Sequence, residues 1–123
     1  MFQQAGRFTK KNRLNRPVEF QQVFRSSCRS IDDNLLVIAR KNGLAYARLG
    51  LAISRKWVRL AANRNKLKRI VRENFRRNQQ LLCGLDIVVT MHRPLPLINN
   101  KLLNNALLKH WGKLVVCKDL LSD

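Results

Sequence analysis

The sequence predicts a single α+β domain, a mixed sheet with helices packed on it, and three observations carry that prediction. The chain has 123 residues, enough for one hydrophobic core and too few for two. Its middle holds short apolar runs bounded by turn residues, such as Leu35-Leu36-Val37-Ile38-Ala39 between Asp32-Asp33-Asn34 and Asn42-Gly43. After residue 60, and again after residue 100, apolar residues recur at helical spacing over much longer stretches.

Residues 1–16 contain Arg7, Lys10, Lys11, Arg13 and Arg16 and no acid, so they are expected to form a loosely ordered basic arm ahead of a domain spanning residues 17–123. Pro17 suits the first position of a helix, where its fixed φ is helical and its missing N–H would have had no partner. Val18, Phe20, Val23 and Phe24 follow at helical spacing and give a short helix over residues 17–26. Asp32-Asp33-Asn34 makes a turn, residues 35–40 a strand, and Asn42-Gly43 a turn of hairpin type that predicts two antiparallel neighbours. Over residues 45–54, Leu49, Leu51 and Ile53 alternate with Arg48, Gly50, Ala52 and Ser54, the pattern of one buried and one open face. Residues 60–82 are helical in period, with Leu67, Ile70, Val71, Asn74 and Phe75 on one side and Gly84 as the stop. A short buried strand over residues 85–90 comes next. Pro94 and Pro96 then break the chain, Asn99 or Asn100 can cap, and Leu103, Ala106, Leu107, His110, Trp111 and Leu114 form the stripe of a last helix.

Twenty-five Lys and Arg against seven Asp and Glu give a formal charge of +18, far beyond what solubility requires, so the partner is expected to be a polyanion. No run of about 18 apolar residues is present to span a membrane. The N-terminal stretch lacks the apolar centre of a secretion signal, and a cytoplasmic location is expected. Cys28, Cys83 and Cys117 are odd in number, widely spaced and without a C-x-x-C pair, which predicts thiols in a reducing compartment rather than a disulfide framework. With only His92 and His110 beside them, they do not supply the four ligands of a zinc site.

The strongest feature is the cluster Arg55, Lys56, Arg59, Arg64, Lys66, Lys68, Arg69, Arg72, Arg76 and Arg77, opposed only by Glu73. At about 100° per residue, Asn65, Arg69, Arg72 and Arg76 share a stripe opposite Leu67 and Val71, with Arg64 and Lys68 bordering it. A solvated helix face usually mixes signs in i,i+4 pairs; this one repels itself unless phosphates neutralise it. Arginine predominates, and its guanidinium can grip a phosphate bidentately and stack on a base. A membrane-surface helix would turn large apolar residues to the acyl boundary, whereas this helix needs them for the core, so RNA is favoured over lipid. Phe20 and Phe24, one turn apart, fit either a hydrophobic face packed on the sheet or the edge of a groove that stacks unpaired bases.

The run Ala61-Ala62-Asn63-Arg64-Asn65-Lys66-Leu67-Lys68-Arg69-Ile70-Val71-Arg72-Glu73, preceded by Leu49-Gly50-Leu51-Ala52-Ile53-Ser54-Arg55-Lys56, resembles the signature of the bacterial ribonuclease P protein subunit. Arg13-Leu14 with Glu19-Phe20-Gln21-Gln22-Val23-Phe24 resembles that family's first helix, and Leu85-Asp86-Ile87-Val88-Val89 its last strand. The resemblance implies a four-stranded mixed sheet in the order αβββαβα, with a left-handed crossover carrying the basic helix. It also implies a noncatalytic subunit that assists a catalytic RNA subunit in removing the 5′ leader of precursor tRNA, one protein per RNA. No cofactor would be bound by the protein alone, and magnesium would be required by the holoenzyme. Arg64, Asn65, Lys68, Arg69 and Arg72 match the motif and would face the RNA subunit and the cleavage region, accompanied by Arg13, Ser54, Arg55, Lys56, Arg59, Lys66 and Arg76. Phe20, Phe24, Leu36 and Ile38 match the cleft for the single-stranded leader. Lys66 stands in place of the motif's second arginine, Ile38 where an aromatic is frequent, and His92 where a basic residue is common.

Two other classes compete with an RNA-binding subunit. A self-sufficient metal-dependent nuclease would need carboxylates converging on magnesium, and only Asp32, Asp33, Glu73 and Asp86 are candidates. A structural ribosomal protein would share the charge, and the RNA that copurifies with the chain would separate it from the first reading.

Overall fold

The computed structural model describes residues 7–95 and 97–120. The elements run α1 (Pro17–Phe24), β1 (Cys28–Ile31), β2 (Leu35–Lys41), β3 (Arg48–Ala52), α2 (Ala61–Arg77), β4 (Leu85–Met91) and α3 (Asn100–Leu120). They form one four-stranded mixed sheet in the spatial order β1-β2-β4-β3. β2 lies antiparallel to β1 and to β4, and β3 runs parallel to β4 on the far edge.

This order corrects the hairpin expected at Asn42-Gly43. The turn forms, with Gly43 at φ 70°, but β2 and β3 are not neighbours, because β4 lies between them. The loop is held open for it. Asn42 donates from Nδ2 to the Tyr46 carbonyl (3.2 Å) and to Asp86 Oδ1 (2.9 Å), while its backbone N–H reaches the Gly84 carbonyl (2.9 Å). β4 carries buried residues at all but one position, as a central strand requires.

On one face of the sheet α2 and α3 bury Leu67, Val71, Phe75, Leu107, Trp111 and Leu114 against Leu35, Val37, Ala39, Ile87 and Val89. Trp111 donates from its indole nitrogen to Asn74 Oδ1 at 2.7 Å, so the asparagine within the apolar stripe of α2 has a buried partner. On the other face α1 covers a smaller cluster of Leu14, Val23, Ile38 and Val88, with Phe20, Leu36 and Ala52 packed against it. α2 stops five residues short of the expected residue 82; Asn78 Nδ2 bonds the Asn74 carbonyl at 2.7 Å there. The apolar signal had continued because Leu82 is itself buried, in the turn leading to Gly84 at φ 83°. Asn99 caps α3 as expected, its Oδ1 accepting the Leu102 N–H at 3.0 Å.

Two further expectations differ from the structure. Residues 1–6 of the expected arm lie outside the described residues, but the rest is tied down. Asn12 is buried and donates to the Ala47 carbonyl at 2.9 Å, Arg13 makes a parallel bridge with Leu49, and Leu14 joins the second core. These residues dock on the open edge of β3, a contact that a count of charges does not show. The cysteines are not all unpaired: Cys28 on β1 is joined to Cys117 on α3, and Cys83 is free and exposed. Cysteines far apart in sequence become neighbours only once α3 lies along the sheet.

The β1–β2 turn is fastened from three sides. Asp32 Oδ1 accepts the N–H groups of Asn34 (2.8 Å) and Leu35 (2.7 Å), and Oδ2 accepts from His110 Nε2 (2.7 Å), whose Nδ1 lies 2.6 Å from Ser30 Oγ. Burial pushes the Asp32 carboxyl up, but the Leu35 and Asn34 amides and His110 outweigh it and hold it below the ordinary 3.8. A depressed carboxyl adds stability above its unfolded pKa and loses it as pH falls through the folded one. Urea midpoints should therefore drop as pH falls below 3.8, and Asp32→Asn should lower the neutral-pH midpoint and flatten the acid limb. An unchanged acid limb in Asp32→Asn would show that the turn is not held by this charge.

Candidate nucleic-acid interface

The outer side of α2 carries the cations and its inner side carries Leu67, Val71 and Phe75. Asn65 and Arg69 are exposed; Lys68, Arg72 and Arg76 are half-buried. Glu73 is taken up locally, meeting Arg76 at 2.6 Å and Arg77 at 3.3 Å. The Arg76 hydrogen bond leads in keeping its carboxyl below 4.5. Arg69 and Arg72 therefore face outward with no acid of their own helix to neutralise them.

The predicted residues do not all play one part. Arg64 bends back, donating to the carbonyls of Val58 (3.0 Å) and Arg59 (2.8 Å), so it fastens the β3–α2 loop to the first turn of the helix. Lys66 points to the other flank, 3.5 Å from the Ile98 carbonyl. In the loop, Ser54 Oγ accepts the Lys56 N–H at 3.0 Å, and the Lys56 ammonium lies 4.7 Å from the centre of the Trp57 ring. Arg55, Lys56 and Arg59 are exposed along the same loop. Arg13, across β3, has its guanidinium 5.1 Å from the Phe8 ring centre.

A cavity of about 190 Å³ brings Phe20, alone of the predicted cleft residues, together with Arg13, Lys68 and Arg72 of the predicted RNA-binding residues. Phe20 of α1 lines it with Arg13, Asn15 and Leu51, and with Lys68 and Arg72 of α2. Phe20 lies over Gly50: a Cβ at that position would come 2.7 Å from two atoms of the ring. The small residue in β3 thus lets an aromatic ring settle on the sheet instead of leaving a flat face. Phe24 is 37% exposed at the end of α1 and Leu36 is half-buried, but Ile38 is 0% exposed. Ile38 therefore sits beneath α1 and supports the cleft without offering a surface.

The sheet also supplies residues the sequence reading missed. Ile31 pairs with Leu36, Leu36 with Thr90, and Ala52 with Thr90, so one row crosses all four strands on the face that carries Ile38 and Val88. Ile31 is 55% exposed, and the Thr90 hydroxyl donates to the Ala52 carbonyl at 2.8 Å. Strand register alone identifies this row, and β1 had no sequence signal strong enough to set it. At the other end of α1, Arg48 binds Asp86 through Nε (2.8 Å) and a terminal nitrogen (2.7 Å) and reaches Glu19 at 2.9 Å. Glu19 also accepts the N–H groups of Asn15 and Arg16, each at 3.0 Å, and the Arg16 bond leads in lowering its carboxyl.

The four carboxylates considered for a metal are thus spread over three places: Asp86 with Arg48, Glu73 with Arg76 and Arg77, and the β1–β2 turn, where Asp33 is exposed beside Asp32, the partner of His110. Among the described residues no group of three or more His, Cys, Asp or Glu is placed to hold an ion. Within the same residues, no helix is long and apolar enough to cross a membrane.

These features define a class: a four-stranded α+β domain with a polycationic helix facing an aromatic-edged cleft. The sequence profile of the family described as Ribonuclease P matches residues 8–115. The ribonuclease P protein component of Methylococcus capsulatus is 50% identical over 104 residues, covering 85% of this chain and 81% of that protein. That of Pseudomonas putida is 47% identical over 108 residues, covering 87% and 78%. Among solved structures, the Thermotoga maritima RNase P protein superposes with a TM-score of 0.69 at 36% identity, covering 79% of this chain and 92% of that one. The Staphylococcus aureus protein gives 0.74 at 25% identity, covering 82% and 93%. The chain belongs to the ribonuclease P protein family and has a role in ribonuclease P, in tRNA processing.

Two glycines test the packing of the cleft. Gly50→Ala must displace Phe20 and should cost about 1–3 kcal/mol of stability, as overpacking does. Gly112→Ala, where a Cβ meets nothing within 4 Å, should instead gain about 0.5–1 kcal/mol as a helix-interior replacement. Urea titrations of both variants measure the opposite signs; equal effects would mean that the ring is not seated on Gly50.

Proposed function

We propose that the chain is the noncatalytic protein subunit of ribonuclease P, binding the catalytic RNA subunit through α2 and its flanks and the 5′ leader of precursor tRNA in the cleft beside α1. The cavity joining Phe20 to Arg13, Lys68 and Arg72 carries this reading, because it makes an aromatic wall continuous with the cation stripe. A single strand offers both features that such a site needs, a phosphate chain and unstacked bases.

Arg69 and Arg72 neutralise phosphates and release their counterions, and Lys68 and Arg13 extend that field toward the leader. Asn65 adds a hydrogen-bonding amide on the same stripe. Ser54, Arg55, Lys56, Arg59, Lys66 and Arg76 supply contacts on the flanks, while Arg64 acts first by holding the loop that presents them. Phe20, Phe24 and Leu36 form the apolar surface for the leader, over Ile38. Asp32, Glu73 and Asp86 are engaged by His110 and backbone amides, by arginines, and by Arg48 and Asn42, and among the described residues no three acidic, His or Cys side chains cluster to hold magnesium. The magnesium required by the holoenzyme is assigned to the RNA-containing assembly. One protein per RNA subunit, acting in the cytoplasm, completes the reading.

Three outcomes are expected. Protein freed of RNA should leave precursor tRNA intact, yet raise cleavage by the RNA subunit at limiting magnesium. Arg69→Ala and Arg72→Ala should weaken RNA binding and each reduce the magnitude of its log–log salt slope by about one, with the melting temperature of Arg69→Ala nearly unchanged. Phe24→Ala should cost about 1–3 kcal/mol of affinity for precursor tRNA and little for mature tRNA. Cleavage by the protein alone, or an unaltered preference for the leader-bearing substrate, would refute the corresponding part of the assignment.

A further inference from the structure

Helix α3 is joined to the edge strand β1 by two independent links. One is the Ser30–His110–Asp32 chain of hydrogen bonds. The other is Cys28 with Cys117, whose Cα atoms lie 5.8 Å apart, within the range a disulfide spans, across 89 residues of sequence. We propose that Cys28 and Cys117 form a reversible redox staple, oxidised by low-molecular-weight disulfides such as glutathione disulfide and reopened by the corresponding thiol.

The surroundings suit both states. Cys28 is fully buried, and the Leu114 carbonyl oxygen lies 3.9 Å from its sulfur, an acceptor for the thiol once the pair is reduced. The Ser30–His110–Asp32 chain keeps α3 in place without the covalent link, so opening the staple does not require the helix to leave. Cys117 is only half-buried, in the last turns of α3, and is the sulfur an incoming reagent meets first. Its thiolate attacks one sulfur of glutathione disulfide, breaking that S–S bond and releasing one glutathione, which takes up a proton. The Cys28 thiolate then attacks the Cys117 sulfur and expels the second glutathione. Two protein thiols and one glutathione disulfide become one protein disulfide and two glutathione thiols, so electrons and protons balance.

The staple has a reach beyond α3. The Cys28 N–H bonds Ser26 Oγ at 3.1 Å, and Arg29, the next residue, donates to the Phe24 carbonyl at 2.6 Å. The crosslinked end of β1 is therefore also the end that anchors the C-terminus of α1, the wall of the cleft.

The test uses the folded full chain in a Cys83→Ser background, equilibrated across ratios of glutathione to its disulfide. Expected are a product lighter by two hydrogens, a single Cys28–Cys117 crosslinked peptide, and a rise in melting temperature of about 10 °C, reversed by excess glutathione. Adding Cys117→Ser should abolish the rise while leaving the melting temperature near that of the reduced parent, which separates the crosslink from a packing role of Cys28. In the chain that keeps Cys83, the same crosslinked peptide should dominate. Glutathione adducts without the crosslink, a Cys83-linked product, an oxidised chain that melts with the reduced one, or a pair that glutathione cannot reduce in the folded protein would each overturn the proposal.

Discussion

The arrangement turns on a buried charge. Asp86 is almost fully buried in the middle of the sheet and is satisfied by Arg48 from β3 and by Asn42 from the β2–β3 loop. Removing one partner of such a pair strands a charge at a cost of about 3–5 kcal/mol, so the strands flanking β4 must stay where they are. Arg48 then extends the network to Glu19, which fixes the start of α1 over the sheet. Burial partly opposes the Arg48 charge, but the Asp86 hydrogen bond leads in raising its pKa. Asp86 resembles a metal ligand in sequence; in the structure it is the member of this network that places the cleft.

With α1 fixed, charge and apolar surface separate. Four acids are committed elsewhere: Asp86 and Glu19 to Arg48, Asp32 to the β1–β2 turn, Glu73 to the end of α2. What remains on the outer side of α2 and its flanks is positive, beside an aromatic edge. Self-repulsion of such a surface is tolerable because α2 is held from its other side by Leu67, Val71 and Phe75. The Phe75 ring meets Trp111 edge-on at 6.4 Å, an arrangement that adds to the area both rings bury. The core thus offsets the cost of a face complementary to phosphate.

Legibility from the sequence followed how local each signal was. α2 and α3 were readable because each presents a whole face to one core, so Leu67, Val71 and Phe75 or Leu103, Leu107 and Leu114 betray the period, and β4 because, buried on both faces, it is a nearly continuous apolar run. The neighbour of β2 was not readable. Asn42-Gly43 makes the same turn whether the chain folds back at once or leaves room for β4, and the choice is decided by Asn42 bonding Asp86, far along the chain. The docking of residues 9–14 rests on one buried asparagine and one leucine among many charges, and the row from Ile31 through Leu36 and Thr90 to Ala52 exists only through strand register. For the interface, the cation stripe was legible as a pattern, but the separate duty of Arg64 toward the Val58 and Arg59 carbonyls was not. Sequence places a residue on a helix face; it does not say which way a long guanidinium turns.

Phe20 shows why a core reading and a cleft reading of an aromatic need not exclude each other. Its ring is seated on Gly50 and packs with the Leu14, Val23, Ile38 and Val88 cluster, so part of it is held as firmly as core. The rest lines the cavity with Lys68 and Arg72. A ring held by packing loses little further freedom when a base stacks on it, whereas a ring on a mobile loop would have to be ordered at the moment of binding. Phe24, more exposed and one turn along α1, has less of this support. The two aromatics one helical turn apart therefore differ in kind: Phe20 is tied to the fold through Gly50, and Phe24 is the more exposed edge.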